Sequence, residues 1–293
     1  MNAADQPPIG LIAGHGRLPF LVAHGVRQAG RPLVVAGLEG LCSPRLGDLA
    51  DAFNWVGICR VGEWIRRLRK EGVHQAIMVG AVRKREMYTR FRLLRYIPDL
   101  RTMKLWYIRL RKDRRDNAVL CVVADELASC GVELISSVHY CKEHLAHEGV
   151  MTHRGPAGLA VGDADFGWRI ARASARLDIG QALAVKERDI IAVEAMEGTD
   201  AMIRRAGRLC RTGGWTLIKV ARPNQDMRFD VPTIGPRTIR NLRDAGCSCL
   251  VVEAGKTLIV DKSVTLELAD RLGIAVIGKT PEASPAELTA APV

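Results

Sequence analysis

Ile9-Gly-Leu-Ile-Ala-Gly-His-Gly-Arg-Leu-Pro19 is the stretch from which the fold is read. Its first five residues make a short apolar strand, Gly14-His-Gly16 makes a turn, and Pro19 opens a segment of helical spacing that stops at Gly30. Proline suits a first helical turn, where the missing N–H would have had no partner. Working outward, residues 33–36 read as a second buried strand, 61–71 as an amphipathic helix closed by Gly72, and 75–79 as a third strand. A helix over 116–130, ended by Gly131, and a strand over 132–138 follow. Strands and helices alternating through short loops predict a Rossmann-like α/β domain with a mainly parallel sheet.

The rhythm breaks between 139 and 165, where Gly149, Gly155, Pro156, Gly158 and Gly162 gather beside His139, His144, His147 and His153. Beyond it come a helix over 166–177, strands at 181–186 and 190–195 joined by Glu187-Arg-Asp189, a helix to about 211 and a strand at 215–220. An irregular run to 235 precedes a helix over 236–245, strands at 249–253 and 257–260, a helix over 263–272 and a last strand at 274–277. The hairpin makes this second α/β domain a mixed sheet. The expected division is an N-terminal domain 1–140, a linker 141–164, a C-terminal catalytic domain 165–280 and a tail 281–293. A length of 293 residues suits two domains.

Composition narrows the classes. Hydrophobic residues are 48% and charged ones 26%, an ordinary globular mixture. No run approaches the roughly 18 apolar residues of a membrane span, and no basic, apolar leader opens the chain, so a cytoplasmic protein is expected. The eight cysteines form no Cys-x-x-Cys pair and read as free thiols, several of them buried. Cys141 and the neighbouring histidines match no common zinc spacing. The net charge of +11 comes almost wholly from residues 83–115, where thirteen Lys or Arg face three acids. There Met87, Phe91 and Leu94, and again Met103, Trp106 and Leu110, are spaced as helical faces. A basic amphipathic segment of this kind predicts docking on the cytoplasmic face of the inner membrane; apolar faces packed on the protein or a second subunit are the alternative. No nucleic-acid motif accompanies the charge, so a nucleic-acid-binding protein is the rival reading and not the expected one.

Three segments could carry chemistry. Gly14 and Gly16 lie where a dinucleotide fold puts its phosphate loop, but the third glycine of that pattern is replaced by Pro19. Nucleotide contact and a plain tight turn both remain open. Glu197-Gly198-Thr199-Asp200 joins a strand to a helix, either as an ordinary cap or as an anion site built from free N–H groups and the helix dipole. Asp200 adds a carboxylate that would suit a magnesium ligand beside phosphate. Lys219 and Arg222 flank a strand end, and Pro223-Asn-Gln-Asp-Met-Arg-Phe-Asp230 follows, a polar surface loop or a ligand crevice.

Asp178-Ile-Gly-Gln181, Ala192-Val-Glu-Ala195, Glu197-Gly-Thr-Asp-Ala-Met202, Arg222-Pro-Asn-Gln-Asp226, Asp230-Val-Pro-Thr-Ile-Gly-Pro236 and Val252-Glu-Ala-Gly-Lys256 stand in order at close spacing. Together they resemble the LpxI-type UDP-2,3-diacylglucosamine pyrophosphatases of lipid A biosynthesis. The resemblance is dense over 178–278 and thinner before it, where Gly10-Leu-Ile-Ala-Gly14 and Leu18-Pro19 agree. It implies a metal-dependent hydrolase that splits UDP-2,3-diacylglucosamine into UMP and the diacylglucosamine 1-phosphate (lipid X), with two domains clasping the substrate in a homodimer. The family's essential aspartate falls on Asp226. Arg222 stands where lysine is usual, and Asp116-Asn117 where two aspartates are usual.

A diphosphate repels an attacking water unless its charge is offset and the water aligned. The expected roles follow from that need. Asp226 binds Mg²⁺ (Mn²⁺ the alternative) or orients the water, and Asp200 is a second metal ligand. Gly198, Thr199 and the adjacent backbone hold phosphate, Lys219 and Arg222 offset developing charge, and Gln225 orients substrate. Gly14 and Gly16 meet nucleotide or sugar. Another nucleotide-diphosphate lipid is the alternative substrate.

Overall fold

The computed structural model describes residues 6–82, 97–111, 116–223 and 225–281. Met87, Phe91, Leu94 and the rest of 83–96, together with 112–115 and Asn224, lie outside the described residues. The chain forms two compact units. One comprises Met1–Lys142 with Asp226–Asp230, and the other Glu143–Gln225 with Val231–Val293.

The first unit carries β1 (Ile9–Ala13), α1 (Leu18–Gln28), β2 (Leu33–Leu38), β3 (Ala52–Val56), α2 (Val61–Lys70), β4 (Gln75–Val79), α3 (Leu100–Lys104), α4 (Asp116–Ser129) and β5 (Glu133–Leu134). Its sheet runs β3-β2-β1-β4-β5 with every pair parallel, the Rossmann-like order expected. Every residue of β1 and β2 is buried, as a sheet covered on both faces requires. β3 escapes sequence reading because Ala-Phe-Asn-Trp-Val is an edge strand with only its last residue buried. β5 is shorter than its apolar run suggests. Beyond it Ser137 leaves the sheet and gives both its N–H (3.0 Å) and its hydroxyl (2.9 Å) to the carbonyl of Met227. This holds the 226–230 segment on the unit, and Phe229 packs against its core.

The expected face of Met103, Trp106 and Leu110 is corrected by a π-helical turn over Leu105–Arg109. Leu110 donates its N–H to Leu105 five residues back, and both are buried while Met103 and Trp106 stay exposed.

The second unit contains β6 (Gly149–Val150), α5 (Leu159–Arg176), β7 (Ala182–Lys186), β8 (Asp189–Val193), α6 (Thr199–Leu209), β9 (Trp215–Lys219), β10 (Thr233–Ile234), α7 (Pro236–Asp244), β11 (Cys247–Glu253), β12 (Leu258–Ile259), α8 (Lys262–Arg271) and β13 (Ala275–Lys279). The six-stranded sheet runs β6-β13-β11-β9-β7-β8, parallel across β13-β11-β9 and antiparallel elsewhere, the mixed sheet expected. Strand alternation fills two cores: Leu217, Leu250 and Val252 face α6–α8, while Ile218 and Val251 face α5.

The expected linker is instead built into this unit. Strand β6 pairs with β13, Thr152 accepts the N–H of Val276 (3.0 Å), and Lys262 holds the carbonyl of Leu145 (2.6 Å). Helix α5 starts at Leu159, seven residues before the expected Phe166, because its small face (Ala160, Ala164, Gly167, Ala171) lacks the bulky residues that mark a helix. The hairpin between β7 and β8 turns through Glu187 (φ 54°) and Arg188 (φ 62°), both left-handed. Buried Asp163 accepts both their N–H groups, at 3.1 and 2.7 Å.

Candidate active site

In the first unit, strand order reverses between β1 and β4, where such sheets usually open a ligand crevice. Here the two following loops meet. Gly14 gives its N–H to Val79, and His15 and Ala81 exchange both backbone hydrogen bonds (3.1 and 2.9 Å). A Cβ on Gly14 would stand 3.0 Å from the Gly80 backbone, and Gly16 is left-handed at φ 115°. Close approach and turn geometry therefore account for both glycines. The amides of Gly14 and His15 are spent, so those two donors offer nothing to a phosphate.

Asp226 lies in the same unit, locked to its neighbour Arg228. The backbone N–H of Arg228 donates to Oδ1 (3.0 Å), Nε to both oxygens (2.9 and 3.0 Å) and Nη2 to Oδ2 (2.6 Å). The guanidinium hydrogen bonds, opposed by partial burial, hold the carboxyl below its ordinary range. Asp226 is thus an ionised carboxylate with fixed orientation. Such a group has about four lone-pair sites, and Arg228 engages both oxygens twice, so a hard cation at Asp226 would have to displace part of this pairing.

In the second unit, β7 is antiparallel to both β8 and β9, so these two run the same way and end on one edge of the sheet. Ala182 on β7 lies opposite Lys219 on one side and accepts the N–H of Glu194 on the other (2.8 Å). Two buried charges consequently share one row. The hydroxyl of Thr199, first residue of α6, donates to Glu194 Oε1 at 2.9 Å. Lys219 Nζ reaches Thr199 Oγ1 at 3.4 Å and the Thr233 carbonyl at 3.3 Å. Left-handed Gly198 precedes the helix, and no side chain caps it. Among the described residues the first backbone donors of the helix thus have no side-chain cap, and they lie beside a lysine, an arrangement suited to an oxyanion.

Asp200 is brought to a different neighbourhood. Its oxygens accept from Arg237 (2.5 Å) and Asn241 (3.0 Å), which ties α6 to α7. Each oxygen accepts one hydrogen bond and so keeps a lone pair. Among the described residues, no three His, Cys, Asp or Glu side chains gather to hold a metal ion.

The loop after β9 is anchored by a glutamate. Glu253, wholly buried at the end of β11, accepts the N–H of Ala221 (2.8 Å) and pairs with Arg172 (3.2 Å) and Lys256 (3.0 Å). Gln225 Oε1 then accepts the N–H of Arg222 (2.9 Å), and Arg222 Nε stands 3.3 Å from Asp178. Nε2 of Gln225 is buried and has no hydrogen-bond partner among the described residues. Sequence reasoning assigned no role to Glu194, Glu253 or Arg228. The signal was present for the glutamates: each is a lone acid closing an apolar strand run.

Family models match nearly the whole chain: the LpxI N-terminal domain over residues 8–144 and the LpxI C-terminal domain over residues 147–277. A relative from Caulobacter vibrioides, the UDP-2,3-diacylglucosamine pyrophosphatase LpxI, is 36% identical over 286 residues, 94% of this chain and 99% of its own length.

Proposed function

The chain belongs to the LpxI family, and on that premise we propose that it hydrolyses the diphosphate of UDP-2,3-diacylglucosamine to UMP and 2,3-diacylglucosamine 1-phosphate. The observation that carries this reading is the likeness to the Caulobacter pyrophosphatase along almost the entire length of both proteins. The geometry agrees with it. A helix start without a side-chain cap and a buried lysine on a sheet edge form a receptor for phosphate oxygens.

Each residue has a task in that reaction. The N–H groups after Gly198 take up phosphate oxygens. Lys219 and Arg222 offset charge that grows as the bond to UMP lengthens. Gln225, whose amide nitrogen has no partner among the described residues, donates a hydrogen bond to substrate. Asp226 holds Mg²⁺, or Mn²⁺, or aligns the attacking water. Bound there, the metal would neutralise the diphosphate and lower the pKa of an attached water. Asp200, whose oxygens each accept one bond from Arg237 or Asn241, is the second ligand for that metal.

The lipid part of the substrate favours contact with a membrane surface, and one face of the first unit suits it. A groove of about 1040 Å³ is lined by Arg60, Arg66, Arg69, Lys70 and Arg101. Its acids are spent: Asp99 caps α3 through the N–H of Thr102 (2.8 Å), and Glu63 stands 3.8 Å from Arg60. Nearby in sequence to its rim, Leu100, Tyr107 and Ile108 are 85%, 67% and 65% exposed. Cations with exposed apolar side chains make an interfacial surface. Among the described residues no helix is long and apolar enough to cross a membrane. The homodimer implied by the family remains part of this proposal.

The test is incubation of the purified protein with UDP-2,3-diacylglucosamine and Mg²⁺, following UMP with and without EDTA. UMP is expected only with the metal. No UMP under either condition overturns the substrate, and full turnover in EDTA overturns the metal.

A further inference from the structure

Glu194 is 7% exposed, yet only one of its carboxylate oxygens is satisfied. Oε1 accepts the Thr199 hydroxyl at 2.9 Å; Oε2 is buried and has no hydrogen-bond partner among the described residues. The main chain here is fixed from two sides. Its N–H is held by Ala182, and a Cβ on Gly180 would stand 1.9 Å from its carbonyl oxygen. The carboxylate is therefore built into its place. A buried carboxylate with an unsatisfied oxygen is unfavourable, so some other gain must offset it.

A threonine hydroxyl has a single proton. Thr199 gives that proton to Glu194 and so turns its lone pairs toward the Lys219 ammonium, 3.4 Å away. Lys219, itself 7% exposed, is held on its other side by the Thr233 carbonyl. If Glu194 did not claim the proton, Thr199 could point it at the lysine and lose the contact. The chain Glu194–Thr199–Lys219 thus has one direction only. It leaves the helix N–H groups and the lysine, and not the threonine hydroxyl, to face an anion.

We propose that Glu194 is a positioning residue for the diphosphate hydrolysis, fixing the Lys219 ammonium at the start of α6 through the Thr199 hydroxyl. This rests on the reading above, in which Lys219 offsets phosphate charge. Its effect belongs to the transition state, where that charge increases, so kcat responds more than KM.

The experiment compares Glu194→Leu, which removes the acceptor, Thr199→Val and the double variant. Kinetics with UDP-2,3-diacylglucosamine are joined by thermal melts and by acylation of Lys219 with an amine reagent, read by mass spectrometry. Each single variant is expected to lose on the order of tenfold in kcat with KM nearly unchanged, and the double variant no more than the worse single, since coupled residues are not additive. Lys219 should acylate faster in both singles while other lysines keep their rates. Independent losses that multiply in the double variant, a wild-type kcat in Glu194→Leu, or activity that only tracks melting temperature would overturn the proposal. So would unchanged Lys219 labelling. Should the wild-type protein release no UMP, the functional reading fails on its own, and the labelling still decides whether Glu194 holds the lysine.

Discussion

Asp226 and Arg228 are two residues apart, and their pairing depends on a turn that no periodicity announces. Replacing Asp226 by alanine is expected to leave a folded protein that binds substrate and has lost about 10²–10⁴-fold in kcat. Steady-state kinetics decide it: activity within about tenfold of wild type removes Asp226 from the chemistry. The pair also has a pH signature. Because Arg228 lowers the carboxyl's pKa, the stability it contributes is present above the ordinary value of about 3.9 and lost as pH falls through the lowered one. Arg228→Gln should therefore raise the pKa of Asp226 toward that ordinary value, a shift that NMR titration of the carboxyl carbon reads directly. An unmoved titration would mean that something other than Arg228 holds the aspartate.

The β7–β8 hairpin is an element whose stability rests on a residue far from it in sequence. Left-handed Glu187 and Arg188 have no glycine to ease them, and Asp163 on α5 offsets the strain by accepting both N–H groups. Asp163→Ala should cost about 2 kcal/mol in urea unfolding, in the range for leaving buried polar groups unpaired. Arg188→Gly should recover part of that loss in the same background. A further loss in the double variant would show that the turn is not the seat of the effect. The groove-bearing helix α2 carries its own test. With each surface cation worth about 1 kcal/mol near anionic lipid, changing Arg66, Arg69 and Lys70 to glutamine should abolish flotation with anionic liposomes at low salt. Equal binding to neutral vesicles would remove the membrane contact.

At the scale of the whole molecule, the proposed reaction fixes where oxygen from water must go. Attack on the phosphorus nearer the glucosamine leaves label from ¹⁸O-water in the lipid phosphate, and label in UMP would require the opposite alignment. The architecture was legible because parallel strands buried on both faces announce themselves as unbroken apolar runs, as in β1, β2 and β9. Edge strand β3 and the small-residue start of α5 lack that signal, since neither fills a core with large side chains. The candidate site was legible as segments and not as contacts. Gly198–Thr199 and Lys219 stood out by type and by position at element ends, whereas the partner of Lys219 through Thr199 depends on which strands flank β7, a long-range fact.

The segment Asp226–Asp230 belongs with Met1–Lys142 although the chain reaches it only after building much of the other unit. The carbonyl that Ser137 requires and the ring of Phe229 are supplied late. During synthesis, all five strands of the first sheet can have emerged while the piece that closes their unit is still uncoded into protein. The first unit must wait, incompletely sealed, until Asp230 clears the ribosome. For the same reason its gene cannot be cut at a single point into two self-sufficient halves, and recombination that swaps one half between relatives would have to carry this short insert with the wrong partner.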